Sequence, residues 1–386
     1  MFFCKKNMET SFHKHFRWIP DPRRGNHKLH NLVEVLLLSV IAVICGAESW
    51  YDMEAFGNDK KEFLKQFLSL EHGIPSHDTF NRVFMVIDVR LFERAFRAWT
   101  AELSQVLAAQ KQVRDEGPVE KTIIAIDVKS VRKSACRQQG LGALHLVSAW
   151  SAHNQLVLGQ YKVADKSNEI TAIPELLSLL DIKDSVVTID AMGTQKKIAE
   201  QIITAQGDYI LSLKENQGAL YEQVTSLFNS YKEDSYSQSH DKGHGRIEIR
   251  TCKVIQQLNW LDEKEHLTKL SSIIKISSER IIGEKSSLQD RYYISSLPAD
   301  AAWFNSSVRS HWGIENHLHW QLDVGFGEDY NTTRNGQAAQ NLALVRKMAI
   351  NILKADKTSK LSLKARRLKA GWNENYLIKI LANDFF

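Results

Sequence analysis

The chain of 386 residues exceeds the about 250–300 residues at which a single hydrophobic core usually stops growing, so two or three domains are expected. Hydrophobic residues make up 43% and charged residues 25% of the chain, which are ordinary globular values and exclude extensive disorder. The four cysteines are scattered and form no CxxC pair, which argues against zinc knuckles and a disulfide framework and favours a reducing cytoplasm.

The positive charge is unevenly distributed along the chain. The formal net charge is only +5, but residues 346–370 contain nine Lys or Arg against one acidic residue, and residues 5–28 contain seven against two. Two basic ends predict contact with a polyanion such as nucleic acid. Solvated helix faces would give the same pattern, and charge alone does not separate the two interpretations.

Residues 1–110 are predicted to form an all-helical N-terminal domain. The longest apolar run, residues 32–47, contains Glu34 and is shorter than the roughly 20 residues that cross a bilayer, so we predict a buried helix and no membrane partner. The basic N-terminus is not followed by a clean apolar segment and a cleavage site, so a signal peptide is not expected.

A turn in this region, EHGIPSHD, precedes a helix whose N-cap would be Ser76 or Asp78. Two helices joined by such a turn could form a helix-turn-helix, whose second helix would present Thr79, Asn81 and Arg82 to DNA. Turns of this kind also join packed helices in many proteins, and simple core packing is the favoured interpretation.

From residue 121 the pattern changes to strands. TIIAIDV and the two runs in HLVSAWSAHNQLVLGQYKV predict a three-stranded antiparallel meander. Helix, strand, helix and strand follow, an alternation typical of parallel crossovers. This order predicts an α/β fold with a ribonuclease-H-like mixed sheet at residues 120–355, interrupted by a β-rich insertion at about 216–298. A basic helical tail is expected at residues 356–386.

Two aspartates lie at the ends of apolar strands in this predicted sheet. Asp127 follows the run IIAI, and an ionised carboxylate buried there must pair with a base or bind a cation. Lys129 and Arg132 are the nearest basic candidates. Asp190 ends SVVTID and precedes a loop, where open α/β sheets present ligands, although it would also suit an N-cap. Because their strands are predicted neighbours, the two carboxylates could lie together.

A third candidate carboxylate, Glu315, lies in a predicted helix. Val308, Trp312, Glu315 and His319 are spaced at i, i+4, i+7 and i+11 and therefore share one helical face. Three converging carboxylates would suit two Mg²⁺ ions, which assist in-line phosphoryl transfer. An ion pair between Glu315 and a histidine one turn away is the alternative.

Other residues near Glu315 offer competing interpretations. Glu328 and Asp329 are rivals for the third ligand position. A transition-metal site is suggested by three nearby histidines, namely His311, His317 and His319. Since the last two are only two residues apart and do not share a helical face, a zinc site is not favoured. Trp312 and Trp320 are expected in the core rather than stacked on a DNA base.

Longer stretches carry a more specific signal. AIDVKSVRKS, TIDAMGTQKKIAEQI and HWGIENHLHWQLDVGFGEDYNTTRNG lie in the strand-rich part, and GIPSHDTFNRVF lies in the helical front part. Together they resemble the bacterial insertion-sequence DDE transposases of the H-repeat-associated group. The resemblance implies a ribonuclease-H-like catalytic domain with Asp127, Asp190 and Glu315 as its catalytic and metal-binding residues. It also implies Mg²⁺ as cofactor, with Mn²⁺ able to substitute.

The resemblance further implies cleavage and strand transfer at the double-stranded DNA ends of an insertion sequence, and contact with target DNA. The helical front part would bind the element ends, and a homo-oligomer on DNA is expected because two ends must be joined. Two alternatives remain open. The chain could be a catalytically weak or inactive DNA-binding relic, or a nuclease of the same fold without transposition.

The sequence departs from the group in two places. Members usually have glycine after the first catalytic aspartate, whereas this chain has Val128, which would impair activity if the backbone there needs a glycine conformation. In the tyrosine, arginine, glutamate and lysine signature of related transposases, Val308 and His311 occupy the first two positions and Leu322 the last.

Basic and polar residues near the predicted strand ends are candidates for DNA phosphate contact, because phosphates must lie beside the metal site. Solvent exposure without a DNA contact is the alternative for each. The predicted DNA-binding residues are Lys129, Arg132, Lys133, Lys214, Asn216, Arg309, His311 and Arg334.

Overall fold

The computed structural model describes residues 10–112, 121–135, 142–164, 168–243, 245–259, 261 and 267–382. The predicted all-helical front part is confirmed. Its helices are α1 Ser11–Phe16, α2 Leu32–Ile44, α3 Trp50–Asp59, α4 Lys61–Leu64, α5 His77–Val86 and α6 Val89–Gln112.

Local capping explains where several of these helices begin. The Asn31 side chain accepts hydrogen bonds from the first backbone N–H groups of α2, and Ser49 with Asp52 forms a capping box on α3. Ser76 caps α5, as the sequence predicts. Helix α2 is buried except at Val33 and Glu34, in agreement with the predicted buried helix. Among the described residues, no helix is both long enough and apolar enough to span a membrane.

Within the described residues the strands form one nine-stranded mixed sheet in the order β3-β2-β1-β4-β5-β9-β8-β7-β6. Strands β1, β2 and β3 are antiparallel, whereas β1, β4 and β5 are parallel. Both features agree with the predicted meander and crossovers. The strands are β1 Ile123–Val131, β2 Leu144–Ser151, β3 Leu156–Lys162, β4 Val186–Ile189, β5 Asp208–Leu213, β6 Ser235–Gly243, β7 Arg246–Ile255, β8 Ser272–Ile282 and β9 Lys285–Ser295.

The last four strands fall in the predicted β-rich insertion, and they extend the main sheet. Strand β9 pairs antiparallel with β5 from Ile210 opposite Ser295 to Leu213 opposite Tyr292. Strands β8, β7 and β6 then follow as an antiparallel ladder. The insertion therefore continues the hydrogen bonding of strands β1, β4 and β5.

Helices cover both faces of this sheet. The crossover helices are α7 Glu169–Ser178, α8 Lys196–Thr204 and α9 Ala219–Ser230, and the later helices are α10 Ala301–His311, α11 Ala338–Ala355, α12 Leu363–Trp372 and α13 Glu374–Leu381. On β1, Ile124 and Ile126 belong to the core formed with α7, α8 and α9, whereas Ala125 belongs to the core on the opposite face. Asp127 and Lys129 continue the alternation of Ala125 and project toward the C-terminal helices.

The helical front part and the C-terminal helices share one interior. A single cluster of buried side chains includes Phe12 of α1 and Leu381 of α13, together with Trp150 of the sheet. The guanidinium of Arg367 is buried and donates to the backbone carbonyls of Val43 and Gly325. The predicted basic tail is therefore packed against the front helices.

Burial also changes the meaning of the basic C-terminal charge. Arg346, Lys347 and Arg367 are all buried. Lys347 donates to Ser148 and Gln160 under the sheet, and burial lowers its pKa to about 8. Part of the positive charge counted from the sequence consequently lies inside the protein.

Candidate active site

The site begins at two neighbouring parallel strands. Ile126 of β1 pairs with Ile189 of β4, so the next residue of each strand, Asp127 and Asp190, leaves this pair at the same edge of the sheet. Adjacent strands are about 4.8 Å apart. The predicted proximity of these two aspartates is thus explained by the strand register.

The Asp190 carboxylate faces the start of the following loop. It accepts hydrogen bonds from the backbone N–H groups of Met192 at 3.2 Å and Gly193 at 3.4 Å, and caps the 3-10 turn Ala191–Gly193. Asp190 therefore acts as an N-cap of this turn, as the alternative interpretation of the sequence expected. Its negative charge also acts on Asp127, so capping does not remove it from the site.

Asp127 is a partly buried carboxylate with few hydrogen-bond donors. It accepts from the N–H of Val128 at 2.8 Å, and its other oxygen lies 3.5 Å from Nδ1 of His319. Burial raises the pKa of Asp127, and the charges of Asp190 and Glu315 act in the same direction. Ion pairs of Asp127 with Lys129 or Arg132, predicted as an alternative, are not found, since both bases contact other carboxylates.

Glu315 approaches Asp127 from the segment after α10. The predicted continuous α-helical face is wrong in detail, because the backbone forms π turns at Glu315–His319 and Gln321–Gly325. The Glu315 side chain is 58% exposed, whereas His319 is only 5% exposed. Nδ1 of His319 lies 3.4 Å from Oε2 of Glu315, and this hydrogen bond lowers the pKa of Glu315.

The structure thus brings one nitrogen and two carboxylates together. Ligand atoms of Asp127, Glu315 and His319 all lie within 4.8 Å of one another. Hard oxygen donors of this kind fit a divalent cation, and a cation would offset the burial and the mutual repulsion that together raise the pKa of Asp127. His317 is exposed and lies outside this cluster, consistent with the expectation that His317 and His319 do not face the same way.

The rival acids and the predicted DNA contact Lys129 form a separate buried network. Nζ of Lys129 lies 2.6 Å from Asp323, 3.2 Å from Glu328 and 3.3 Å from Asp329. Lys129 is 8% exposed and Glu328 only 1%. The location of Lys129 does not support the predicted DNA contact, and Glu328 and Asp329 are held by it, away from the Asp127 cluster. The sequence around Lys129 gives no signal for acidic partners that lie about 200 positions further along the chain.

Three other predicted DNA contacts cluster around the loop after Glu328. Arg132 is 82% exposed on its side chain and lies 3.2 Å from Asp329. Lys133 lies over the ring of Tyr330, and Arg334 donates to the backbone carbonyl of Lys133 at 2.9 Å. These bases remain at the surface beside the strand that carries Asp127.

Arg309 lies apart from that cluster. It forms an ion pair with Asp241 on β6, and both side chains are about half exposed. The pair connects α10 to the edge strand of the sheet. Arg309 can therefore contact DNA only if this ion pair opens or is shared.

The remaining predicted contacts line a cleft of about 670 Å³ beside Asp190. Lys214 is exposed there, and Asn216 donates to the backbone carbonyl of Ala191 at 3.1 Å. Nδ1 of His311 lies 2.8 Å from the Thr188 hydroxyl, and burial lowers the pKa of His311 to about 4. At neutral pH His311 is uncharged, so it can offer a hydrogen bond but no ionic attraction to a phosphate.

The two tryptophans predicted to lie in the core are partly exposed. Trp312 lines the cleft with the guanidinium of Arg291 stacked 4.6 Å from its ring centroid, and Trp320 is exposed. The core prediction for both is wrong. That prediction rested on the general tendency of tryptophan to be largely buried in proteins.

Sequence reasoning missed Glu169 at the start of α7. Burial raises its pKa, and the charges of Asp190 and Asp127 raise it further, so this carboxylate faces the same site. An acidic residue in the first turn of a helix is common for electrostatic reasons alone. The sequence therefore contained no signal that distinguished Glu169 from a helix-stabilising residue.

Comparisons with known proteins identify the family of the chain. A profile for the transposase DDE domain matches residues 118–352, and a profile for its associated domain matches residues 13–100. The chain is 41% identical to the H repeat-associated putative transposase YhhI of Escherichia coli K12, over 98% of both chains. It therefore belongs to the DDE transposases. Within them it is a member of the H-repeat-associated group.

Two further relatives and one solved structure are similar to this chain. The putative protein YbfL of Escherichia coli K12 is 42% identical over 98% of both chains. The inactive transposase YbfQ of the same strain is 47% identical over 79 residues, which cover 20% of this chain and 88% of that one. A solved piggyBac transposase synaptic complex with hairpin DNA aligns with 98% of this chain and 77% of that one, at 10% identity and a TM-score of only 0.39. That value is too low to support an argument about fold.

Proposed function

We propose that the protein catalyses DNA cleavage and strand transfer at the ends of an insertion sequence. The observation that carries the proposal is the meeting of Asp127 with Asp190 across paired parallel strands and with Glu315 from the segment after α10. The β1–β4 register supports the pairing of Asp127 with Asp190, and the cluster of ligand atoms supports the pairing of Asp127 with Glu315. Such a cluster of carboxylates is suited to phosphoryl transfer.

The fold supports the proposal. The first five strands have the order β3-β2-β1-β4-β5, antiparallel in the first three and parallel in the last three. We assign this part to the ribonuclease-H-like fold, with strands β6 to β9 as an extension of its sheet. The helical front part is proposed to bind the element ends, and two or more copies to assemble on DNA.

The carboxylates Asp127, Asp190 and Glu315 would hold Mg²⁺, or Mn²⁺ in its place. When bound, these ions supply positive charge that activates the attacking hydroxyl and stabilises the leaving oxygen of an in-line displacement. The hydrogen bonds from Met192 and Gly193 fix the Asp190 carboxylate, and the Val128 N–H fixes that of Asp127. The protein thereby orients the acids before a phosphodiester arrives.

The reaction consists of two displacements without a covalent enzyme–DNA intermediate. Water attacks the phosphodiester at the element end, the bond to the 3′ oxygen breaks, and a free 3′-hydroxyl remains. That hydroxyl then attacks a phosphodiester of the target DNA, so one bond forms and one breaks. Arg132, Lys133, Lys214 and Asn216 lie at the surface around the carboxylates and are proposed to hold the DNA backbone.

The proposal is tested with a supercoiled plasmid that carries the element's terminal repeats, incubated with purified protein and Mg²⁺. Wild type is expected to nick the plasmid and form joined products, and Asp190→Asn to reduce both at least about a hundredfold, since loss of even an outer partner of a metal ligand costs 10–100-fold. Glu284→Gln, in the exposed β8–β9 turn, is the matched control and should retain activity.

Equal nicking by wild type and Asp190→Asn would overturn the proposed chemistry. Binding without cleavage would indicate a DNA-binding relic, an alternative raised by Val128 and by the relative named as inactive. Nicking without joined products would indicate a nuclease.

A further inference from the structure

His319 has an unusual environment for a buried histidine. Its side chain is only 6% exposed, and Nδ1 lies 3.5 Å from Oδ2 of Asp127 and 3.4 Å from Oε2 of Glu315. Nε2 is buried and has no hydrogen-bond partner. Among the described residues, the polar contacts of the ring are therefore confined to the side that faces the two carboxylates.

The distances from Nδ1 of His319 to the two carboxylates distinguish a direct ion pair from ligands of a common ion. A charge-assisted N–H···O bond is usually about 2.7–2.9 Å, so both contacts of Nδ1 are long for a direct ion pair. Two ligands bound to one cation at about 2.1 Å lie about 3.0 Å apart at a right angle and about 3.4 Å apart at a tetrahedral angle. The two distances from Nδ1 of His319 match those between ligands around a common ion.

We propose that His319 is a third metal ligand, which completes a site of one imidazole nitrogen and two carboxylates with Asp127 and Glu315. This inference rests on the proposed function and refines it: the half of the site at Glu315 differs chemically from the half at Asp190. Because imidazole suits transition metals better than Mg²⁺, this half should select Mn²⁺ over Mg²⁺.

The hydrogen bond that lowers the pKa of Glu315 is consistent with this arrangement. It also raises the competing explanation that His319 only orients the carboxylates. A side chain that keeps a polar group near the position of Nδ1 but offers no ring nitrogen separates the two roles. His319→Asn meets this requirement, since its amide can still hydrogen-bond to Asp127 and Glu315.

The test measures metal binding by the full chain in the absence of DNA. Mn²⁺ affinity is obtained from the electron paramagnetic resonance signal of free Mn²⁺, and Mg²⁺ affinity from competition. His319→Ala and His319→Asn are both expected to weaken Mn²⁺ binding at least about tenfold and to change Mg²⁺ binding less. His317→Ala, two residues away and exposed, is the matched control. Thermal unfolding of each variant establishes that it is folded.

Pulsed electron paramagnetic resonance identifies the ligand directly. Bound Mn²⁺ should show coupling to ¹⁴N of an imidazole in wild type and His317→Ala, and none in His319→Asn. Bound Mn²⁺ without nitrogen coupling in wild type would overturn the inference while leaving the carboxylate site intact. If wild type binds neither Mn²⁺ nor Mg²⁺, the proposed function itself fails.

Discussion

Nζ of Lys129 lies 2.6 Å from Oδ1 of Asp323, and this contact joins the strand that carries Asp127 to the segment that follows Glu315. Glu328 and Asp329 contact the same ammonium group. One lysine thus compensates three carboxylates beside the candidate active site. Its surroundings favour a structural role over the DNA contact expected from the sequence.

Replacing Lys129 by methionine should strongly destabilise the protein. The change leaves buried Glu328 and its two acidic neighbours without their ammonium partner, and breaking one side of a buried pair costs about 3–5 kcal/mol. The free energy of unfolding in urea measures the loss. Lys133→Met is the control, because the ammonium group of the exposed Lys133 lies over the ring of Tyr330, a cation–π arrangement worth about 0.5–1 kcal/mol.

A contrary result for Lys129 would be equally informative. If Lys129→Met unfolds like Lys133→Met but binds DNA more weakly, the lysine acts on DNA after all. The buried network would then be an arrangement that opens when DNA arrives.

Asp127→Asn should stabilise the metal-free protein at neutral pH, by about 0.5–2 kcal/mol, the range typical of relieving a strained functional site. Burial raises the pKa of Asp127 in the folded state, so its ionisation opposes folding. Between the unfolded and the raised folded pKa the native state binds more protons, and wild-type stability therefore falls as pH rises through this interval.

The measurement is urea unfolding with EDTA across the acid range. The variant should lack this part of the pH dependence. The difference in unfolding free energy between variant and wild type should therefore be absent below the unfolded-state pKa of Asp127 and reach its full value above the folded-state pKa. In saturating Mn²⁺, wild type should become more stable than the variant, because the bound ion stabilises the folded wild type. A stability difference that is independent of pH would show that ionisation of Asp127 does not destabilise the folded protein.

Val128→Gly should lower stability without improving catalysis. Val128 pairs with Val147 in the β1–β2 ladder, packs against the core formed with α7, α8 and α9, and is absent from the described residues with positive φ. The backbone therefore does not need glycine, and removing the side chain costs about 1–3 kcal/mol in burial and strand propensity. Plasmid nicking and urea unfolding are compared with wild type. A gain in nicking of more than about tenfold, 1.4 kcal/mol in barrier height, would instead show that glycine is required on DNA.

Glu169→Gln should weaken Mn²⁺ binding about tenfold, the lower end of what outer partners of a metal site contribute. Its charge acts on the same site as Asp127 and Asp190. Glu175→Gln lies on the same helix, is exposed, and should bind Mn²⁺ like wild type. Identical affinities in the two variants would exclude Glu169 from the site.

The parts of the fold that were predictable depend on local patterns. The apolar runs before Asp127 and Asp190 indicate buried strands, and the crossover between them makes the strands parallel neighbours. The Ser76 cap and the buried α2 helix were likewise predictable from residues close in sequence. Local signals also indicated the strands β6 to β9, but not that β9 would pair with β5 and extend the sheet.

Features that depend on distant partners were not predictable. Lys129 and Arg309 look like surface bases in the sequence, and their acidic partners Asp323 and Asp241 lie far along the chain. The phase of the segment around Glu315 was misjudged because π turns shift the side chains relative to α-helical spacing.

The interior shared by Phe12 and Leu381 has a consequence for synthesis of the protein. Helix α2 cannot complete its surroundings until the segment that carries Arg367 has left the ribosome, because Val43 accepts a hydrogen bond from that guanidinium. A nascent chain from which the Arg367 segment has not yet emerged therefore lacks the finished scaffold.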